Sequence, residues 1–175
     1  MKNTIIFDNK IDFKQGETLT FFLNENFDLR VESRIFSTQT LNKIQAYLKN
    51  LKFKKIKEKI LGFDISEKNK VLFIVVKEKL VSNNFEELGA NFYSFIKTNK
   101  IDKVNLHADT IKFFKLYKKN TELILRFIHG FSLKSYSFNR YKTQNKNIFN
   151  FLLKIVSSEK TLLNNNYFRD RKSVV

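Results

Sequence analysis

Two imidazoles are all this chain offers for proton transfer near neutrality or nitrogen ligation of a metal: His107 and His129. They fall in different predicted elements, and neither has a carboxylate at the spacing of a His-Glu-x-x-His zinc site. His107 closes a predicted strand and reads as a structural imidazole. His129 sits in a predicted helix beside Gly130 and reads as a packing or surface residue. There is no cysteine, so thiol nucleophiles and thiolate metal sites are excluded. Carboxylates are as thinly placed: Glu86 and Glu87 read as a pair at a helix start, Asp170 lies in the tail, and none stands beside a base. A serine hydrolase needs a strained Gly-x-Ser-x-Gly turn, and none occurs. Phosphate cradles need clustered glycines, whereas Gly16, Gly62, Gly89 and Gly130 are widely separated. No catalytic residue, no metal ligand and no cofactor is expected of this chain.

The one abundant functional group is the ammonium. The 175 residues carry a formal net charge of +16, a balance suited to nucleic acid or an anionic surface. Lys outnumbers Arg 27 to six, however, and it travels with many Asn, Ile and Phe. All four have A/T-rich codons, while the scarce Pro, Ala and Gly need G/C-rich ones, so base composition alone accounts for much of the charge. Arg, which forks onto phosphate and guanine, is not enriched. The densest basic run is KFKKIKEK, with Lys52, Lys54, Lys55, Lys57 and Lys59 as candidate nucleic-acid contacts through phosphate neutralisation. Its plainer reading is an edge strand whose lysines oppose aggregation.

These groups must be positioned by elements legible in the hydrophobic pattern. Thr4–Phe7 and Thr18–Leu23 are short, β-branched and aromatic, and predict strands. In FSTQTLNKIQAYLKNLKF, Leu41, Ile44, Leu48 and Leu51 recur at helical spacing behind Ser37 or Thr38 as N-cap. The following KFKKIKEKILGFDI reads as a charged strand or a helical end, with Gly62 as a turn or bulge. Val71–Val76 is an uninterrupted apolar run, the pattern of a strand covered on both faces. A helix from about Asn84 to Thr98 buries Phe85, Leu88, Phe92 and Phe95 or Ile96, with Glu86 and Glu87 near its positive end. Lys103–Ala108 predicts a strand, a long helix begins near Asn120 or Thr121, Asn147–Val156 predicts a further strand, and the closing residues read as the start of a helix. Strands and helices alternate without a linker or repeat. The expected architecture is α/β: three layers, with a mixed, mostly parallel sheet between helices. No apolar run approaches the roughly 18 residues of a membrane span, no signal-peptide core opens the chain, and with no cysteine a cytoplasmic, membrane-free protein is the expectation.

Within the long helix, Gly130 interrupts a stripe that includes Leu123 and Phe127, and Ile128, Phe131 and Ser135 on the adjoining side. Gly inside a helix costs roughly 0.5–1 kcal/mol relative to Ala, so its presence predicts a close backbone approach. Gly130, Leu133, Tyr136, Phe138, Tyr141 and Lys142 together resemble a segment of the leucyl aminopeptidase (cytosol aminopeptidase) family, approximately Gly-x-x-Leu-x-x-Tyr-x-Phe-x-x-Tyr-Lys. Leu88–Ala90 (LGA) and the order of elements match more loosely. His129 stands where the family often has Glu, and Val76–Glu78 stands where a Gly-Leu-Gly often follows the buried strand.

The resemblance implies the family's N-terminal domain, an α/β unit similar to macro domains, over 1–160, with 161–175 beginning a linker helix toward a catalytic domain. That domain would carry two divalent ions, zinc or manganese, and a motif including Asn-Thr-Asp-Ala-Glu-Gly-Arg, which this chain lacks. No metal ligand or catalytic residue carries over, and the six matched positions are structural. The implied role is a non-catalytic scaffold or oligomerisation module of a metal-dependent, homohexameric enzyme that removes N-terminal residues from peptides. A basic nucleic-acid-binding module is the alternative. A macro-domain-like binder of ADP-ribose is a third reading, opposed by the lack of glycine-rich loops.

Overall fold

The computed structural model describes residues 3–10, 16–29, 35–54, 58–77, 82–113, 120–136 and 149–159. Strands β1 (Thr4–Asp8), β2 (Thr18–Asn24), β3 (Ile60–Asp64), β4 (Lys70–Val76), β5 (Lys103–His107) and β6 (Leu152–Val156) form one sheet in the order β1-β6-β5-β2-β4-β3. Every pairing is parallel except that of β3 with β4. Three helices, α1 (Thr38–Phe53), α2 (Ser82–Thr98) and α3 (Asn120–Ser135), and a 3-10 helix (Ala108–Phe113) connect them. The fold is α/β, with a mixed, mostly parallel sheet between helices, as expected from the alternating pattern.

The unbroken apolar runs of β2 and β4 are explained by their position at the sheet centre, where period-2 alternation feeds two cores. Leu19, Phe21 and Leu23 of β2 and Val71 and Phe73 of β4 pack beneath Ile44, Leu48 and Leu51 of α1. The intervening Phe22, Leu72, Ile74 and Val76 face α2 and α3 instead. Phe21 stacks on Phe73 at 6.4 Å and meets Phe36 edge-on at 5.7 Å. On the other face, Phe127 meets Phe22 edge-on at 5.5 Å, a geometry aromatic quadrupoles favour.

Helices α2 and α3 touch backbone to backbone. A Cβ at Gly130 would lie 1.8 Å from the Glu86 carbonyl oxygen, and one at Gly89 would lie 1.9 Å from that of Phe127. Glycine at both points admits a separation that lets Phe92 and Tyr93 reach Phe131. The close approach expected at Gly130 is therefore present, and Gly89 is its reciprocal partner.

Of the two N-cap candidates it is Ser37 that caps α1, accepting from the Thr40 N–H at 3.2 Å. Several other local expectations are corrected. KFKKIKEK is not an edge strand at its start: Lys52 and Phe53 complete the last turn of α1 and Lys54 closes it, donating its N–H to the Asn50 carbonyl. The helical stripe through Leu48 and Leu51 decided this, because burying it requires helix to continue. Lys55 and Lys57 lie outside the described residues, and the edge strand proper is β3. Gly62 makes neither turn nor bulge; it pairs with Leu72 in regular antiparallel register. Glu86 and Glu87 fall beyond the first turn of α2, which begins at Ser82. The strand expected from Asn147 begins at Leu152, because Leu152 is opposite Thr4 and Lys103, the first residues of both partner strands. Phe149 and Phe151 precede it and pack on Tyr93. Residues 161–175, with the linker helix expected there, lie outside the described residues, as do Phe138, Tyr141 and Lys142. Among the described residues, no helix is long and apolar enough to cross a membrane.

Candidate functional site

In open, mostly parallel sheets the ligand crevice lies beyond the carboxyl ends of the strands, where the chain leaves a central strand to opposite sides. Here that strand is β2, flanked by β4 and β5. Short polar residues gather at this edge because the strands stop there: Asp8 at the end of β1, Asn24 at the end of β2, Asp109 and Thr110 after β5, and Ser157 to Glu159 after β6.

These groups bond to nearby backbone and side chains, and Asp109 bonds directly to the turn at Ser157 and Ser158. The Thr110 hydroxyl is buried, donates to the His107 carbonyl at 2.7 Å and accepts from the Phe22 N–H at 2.9 Å. Thr110 thus takes over the β2 ladder where β5, whose last partner is Phe21, has ended. The Asp109 carboxylate accepts from the Ser157 hydroxyl and the Ser158 N–H, both at 2.7 Å. Lys112 approaches it at 3.1 Å and also reaches Glu159 at 3.4 Å. Thr121, in the first turn of α3, donates to the other oxygen of Glu159. Burial by itself would raise the Asp109 carboxyl, but the bonds from Ser157, Ser158 and Lys112 outweigh it and hold it below the ordinary range. Asp8 is likewise held low, chiefly by the Lys10 N–H, and pairs with Lys154 at 3.3 Å. Asn24 accepts from the Asn26 and Asp28 N–H groups, closing a turn in which Phe27 has φ of 59°.

The residues singled out from sequence do not converge on this edge. Gly130 and Leu133 line a shallow groove of about 480 Å³ over the α2–α3 seam, with Glu86, Glu87, Ala90 and Lys134. Leu133 is 51% exposed and Tyr136, just past α3, is 76% exposed. His129 Nδ1 lies 3.3 Å from Glu86 across that seam. His107 is buried, with Phe21 edge-on at 5.7 Å. Lys59 joins Glu87 at 2.9 Å, and its hydrogen bond holds that carboxyl low. Lys52 and Lys54 are exposed at the end of α1. Sequence reasoning missed Asp109, Thr110 and Ser157; the available signal was short polar residues directly following two predicted strands. Among the described residues no group of three His, Asp or Glu side chains is placed to hold a metal ion.

No protein-family model matches the chain, and no curated protein matches it. Solved structures do. A variant of tomato leucine aminopeptidase superposes over 89% of this chain and 32% of its own, at 16% identity and a TM-score of 0.61. The chain therefore spans about a third of that enzyme's length. The macrodomain of Thermus aquaticus DarG matches over 89% of this chain and 99% of its own, at 11% identity and TM-score 0.58. A variant macrodomain of Oceanobacillus iheyensis matches over 99% and 95%, at 12% identity and TM-score 0.65. At these identities the likeness establishes the fold: an α/β unit shared by macrodomains and part of an aminopeptidase.

Proposed function

We infer that this chain is a non-catalytic scaffold module, comparable to the N-terminal domain implied by the leucyl aminopeptidase resemblance. The observation that carries the reading is the edge network. At the position where such sheets usually take a ligand, Asp109 accepts from Ser157 and Ser158, Glu159 accepts from Thr121, and Thr110 joins the His107 carbonyl to the Phe22 N–H, so the strand ends are tied together. Such groups stabilise an edge instead of presenting donors and acceptors to a substrate. The superposition on a third of an aminopeptidase supports the same reading. On this view the zinc or manganese, the peptide-cleaving residues and the means of forming a hexamer's catalytic core belong to a partner domain, in a cytoplasmic enzyme.

The test is incubation of the chain with leucine p-nitroanilide and manganese or zinc. No turnover above blank is expected; turnover would overturn the scaffold reading. Calorimetry with ADP-ribose discriminates the macrodomain alternative: the scaffold reading expects no heat, and saturable heat would replace it with ligand binding at the strand ends. A second reading, a nucleic-acid-binding role for the same scaffold, is favoured by one observation: Lys43, Lys49 and Lys52 of α1 and Lys54 at its C-cap make no ion pair among the described residues.

A further inference from the structure

The outward side of α1 differs from the rest of the described surface. Over Thr38–Phe53 the helix has no acidic residue, and Ile44, Leu48 and Leu51 are buried. At about 100° per residue, Phe53 projects nearly opposite that stripe, one turn beyond Lys49 and between Lys52 and Lys54 in sequence. Its ring is 75% exposed. A single exposed apolar side chain is ordinary on its own. This one stands on a helix without carboxylates, beside Lys49, Lys52 and Lys54, none of which makes an ion pair among the described residues; Lys68, Lys100 and Lys103 elsewhere make none either. Lys49 and Lys52 also help line a cleft of about 390 Å³ with Asn26, Phe27, Asp28 and Gln45. Asp28, the one carboxylate among its described lining residues, accepts from the Asn24 side chain.

We propose that this face binds single-stranded nucleic acid, with Phe53 stacking on a base and Lys49, Lys52 and Lys54 neutralising the flanking phosphates. The proposal rests on the nucleic-acid reading and deepens it by naming the strand type and the site. Stacking requires an unpaired base whose face is open, which a duplex does not provide. Lysines without an arginine fork neutralise phosphate but do not read base edges, so binding is tolerant of sequence. An anionic membrane suits the face less well. Interfacial helices insert an apolar side, and here that side is packed on the sheet, leaving one ring amid Lys, Asn and Gln.

The experiment is a titration of labelled oligothymidylate, and of a duplex of matching length, at low and high salt. Phosphatidylserine vesicles serve as a third probe. The single strand is expected to bind more tightly than the duplex. Phe53→Ala is expected to weaken it roughly tenfold and Phe53→Trp to restore it. Lys49→Gln with Lys52→Gln should flatten the slope of log affinity against log salt by about 1.4, or about 0.7 per phosphate contact. Unchanged melting of each variant shows that the fold is retained. If the wild-type chain binds neither oligonucleotide, whether or not it binds vesicles, the nucleic-acid reading and this site both fall. If it binds but Phe53→Ala and the lysine changes have no effect, or the duplex binds more tightly, the reading stands and this site is overturned.

Discussion

Helix α1 and the α2–α3 pair cover opposite faces of one sheet by opposite means. The pair closes on itself: Gly89 and Gly130 bring the two backbones together, and Glu86–His129 and Glu87–Lys59 bridge outward-facing groups. α1 sends an aliphatic stripe into the core, with Tyr47 packed at its margin, and turns outward a side whose lysines make no ion pair among the described residues. One face is therefore determined almost wholly by steric fit, while the other leaves half its helix unconstrained by the fold. A surface free of packing constraints is where charge and aromatic groups can be altered for a partner without loss of stability.

The largest predicted effect breaks the closed side. Gly130→Ala places a methyl group into the Glu86 backbone, which no rotamer can relieve, so the helices must separate; overpacking of this kind is expected to cost about 3 kcal/mol. Urea denaturation should show the midpoint falling accordingly. A wild-type midpoint would mean that the seam is looser than described. The second effect concerns the strand ends. Thr110→Val keeps the shape but leaves the Phe22 N–H without its acceptor in a buried position, which should cost about 1–3 kcal/mol in the same measurement.

The third prediction is a pH dependence. Asp109 is held below its ordinary value of 3.8 in the folded chain, so the unfolded chain binds the proton more readily. Its stabilisation is complete above that value and is lost as pH falls from there through the lowered folded value. Asp109→Asn should therefore show less loss of stability on acidification than wild type in melts across that range, and equal acid sensitivity of the two would refute the assignment. The smallest effect sharpens the contrast with α1. Phe53→Ala should change stability by less than about 0.5 kcal/mol, the usual range for a surface site. A larger loss would show that the ring is a packing residue after all.

Much of the architecture is visible in particular residues. Phe21, Phe22, Leu72 and Phe73 lie in runs without polar alternation, which only a strand buried on both faces explains. Ile44, Leu48 and Leu51 carry the helical period. Gly130 announced a close approach because a helix has no local reason to contain it. The site was less visible. Asp109 and Ser157 are 48 positions apart and meet only because β5 and β6 lie side by side. Lys52 and Phe53 were left between helix end and charged strand because a basic run between apolar residues is compatible with either period over so short a stretch. Glu86 and Glu87 looked like helix-start charges, yet their partners, His129 and Lys59, come from α3 and from just before β3.

Alone, then, the order of residues determined which segments are strand or helix, which side of each is buried, and that cysteine chemistry is absent. These properties follow from local periodicity and composition, and each is a statement about neighbours along the chain. The tertiary structure decided the rest: the position of β2 between β4 and β5, the seating of Gly130 on the Glu86 backbone, the tying of the strand ends, and the exposure of Phe53. Those depend on distances between segments far apart in sequence, and pattern within a single segment carries no information about such distances.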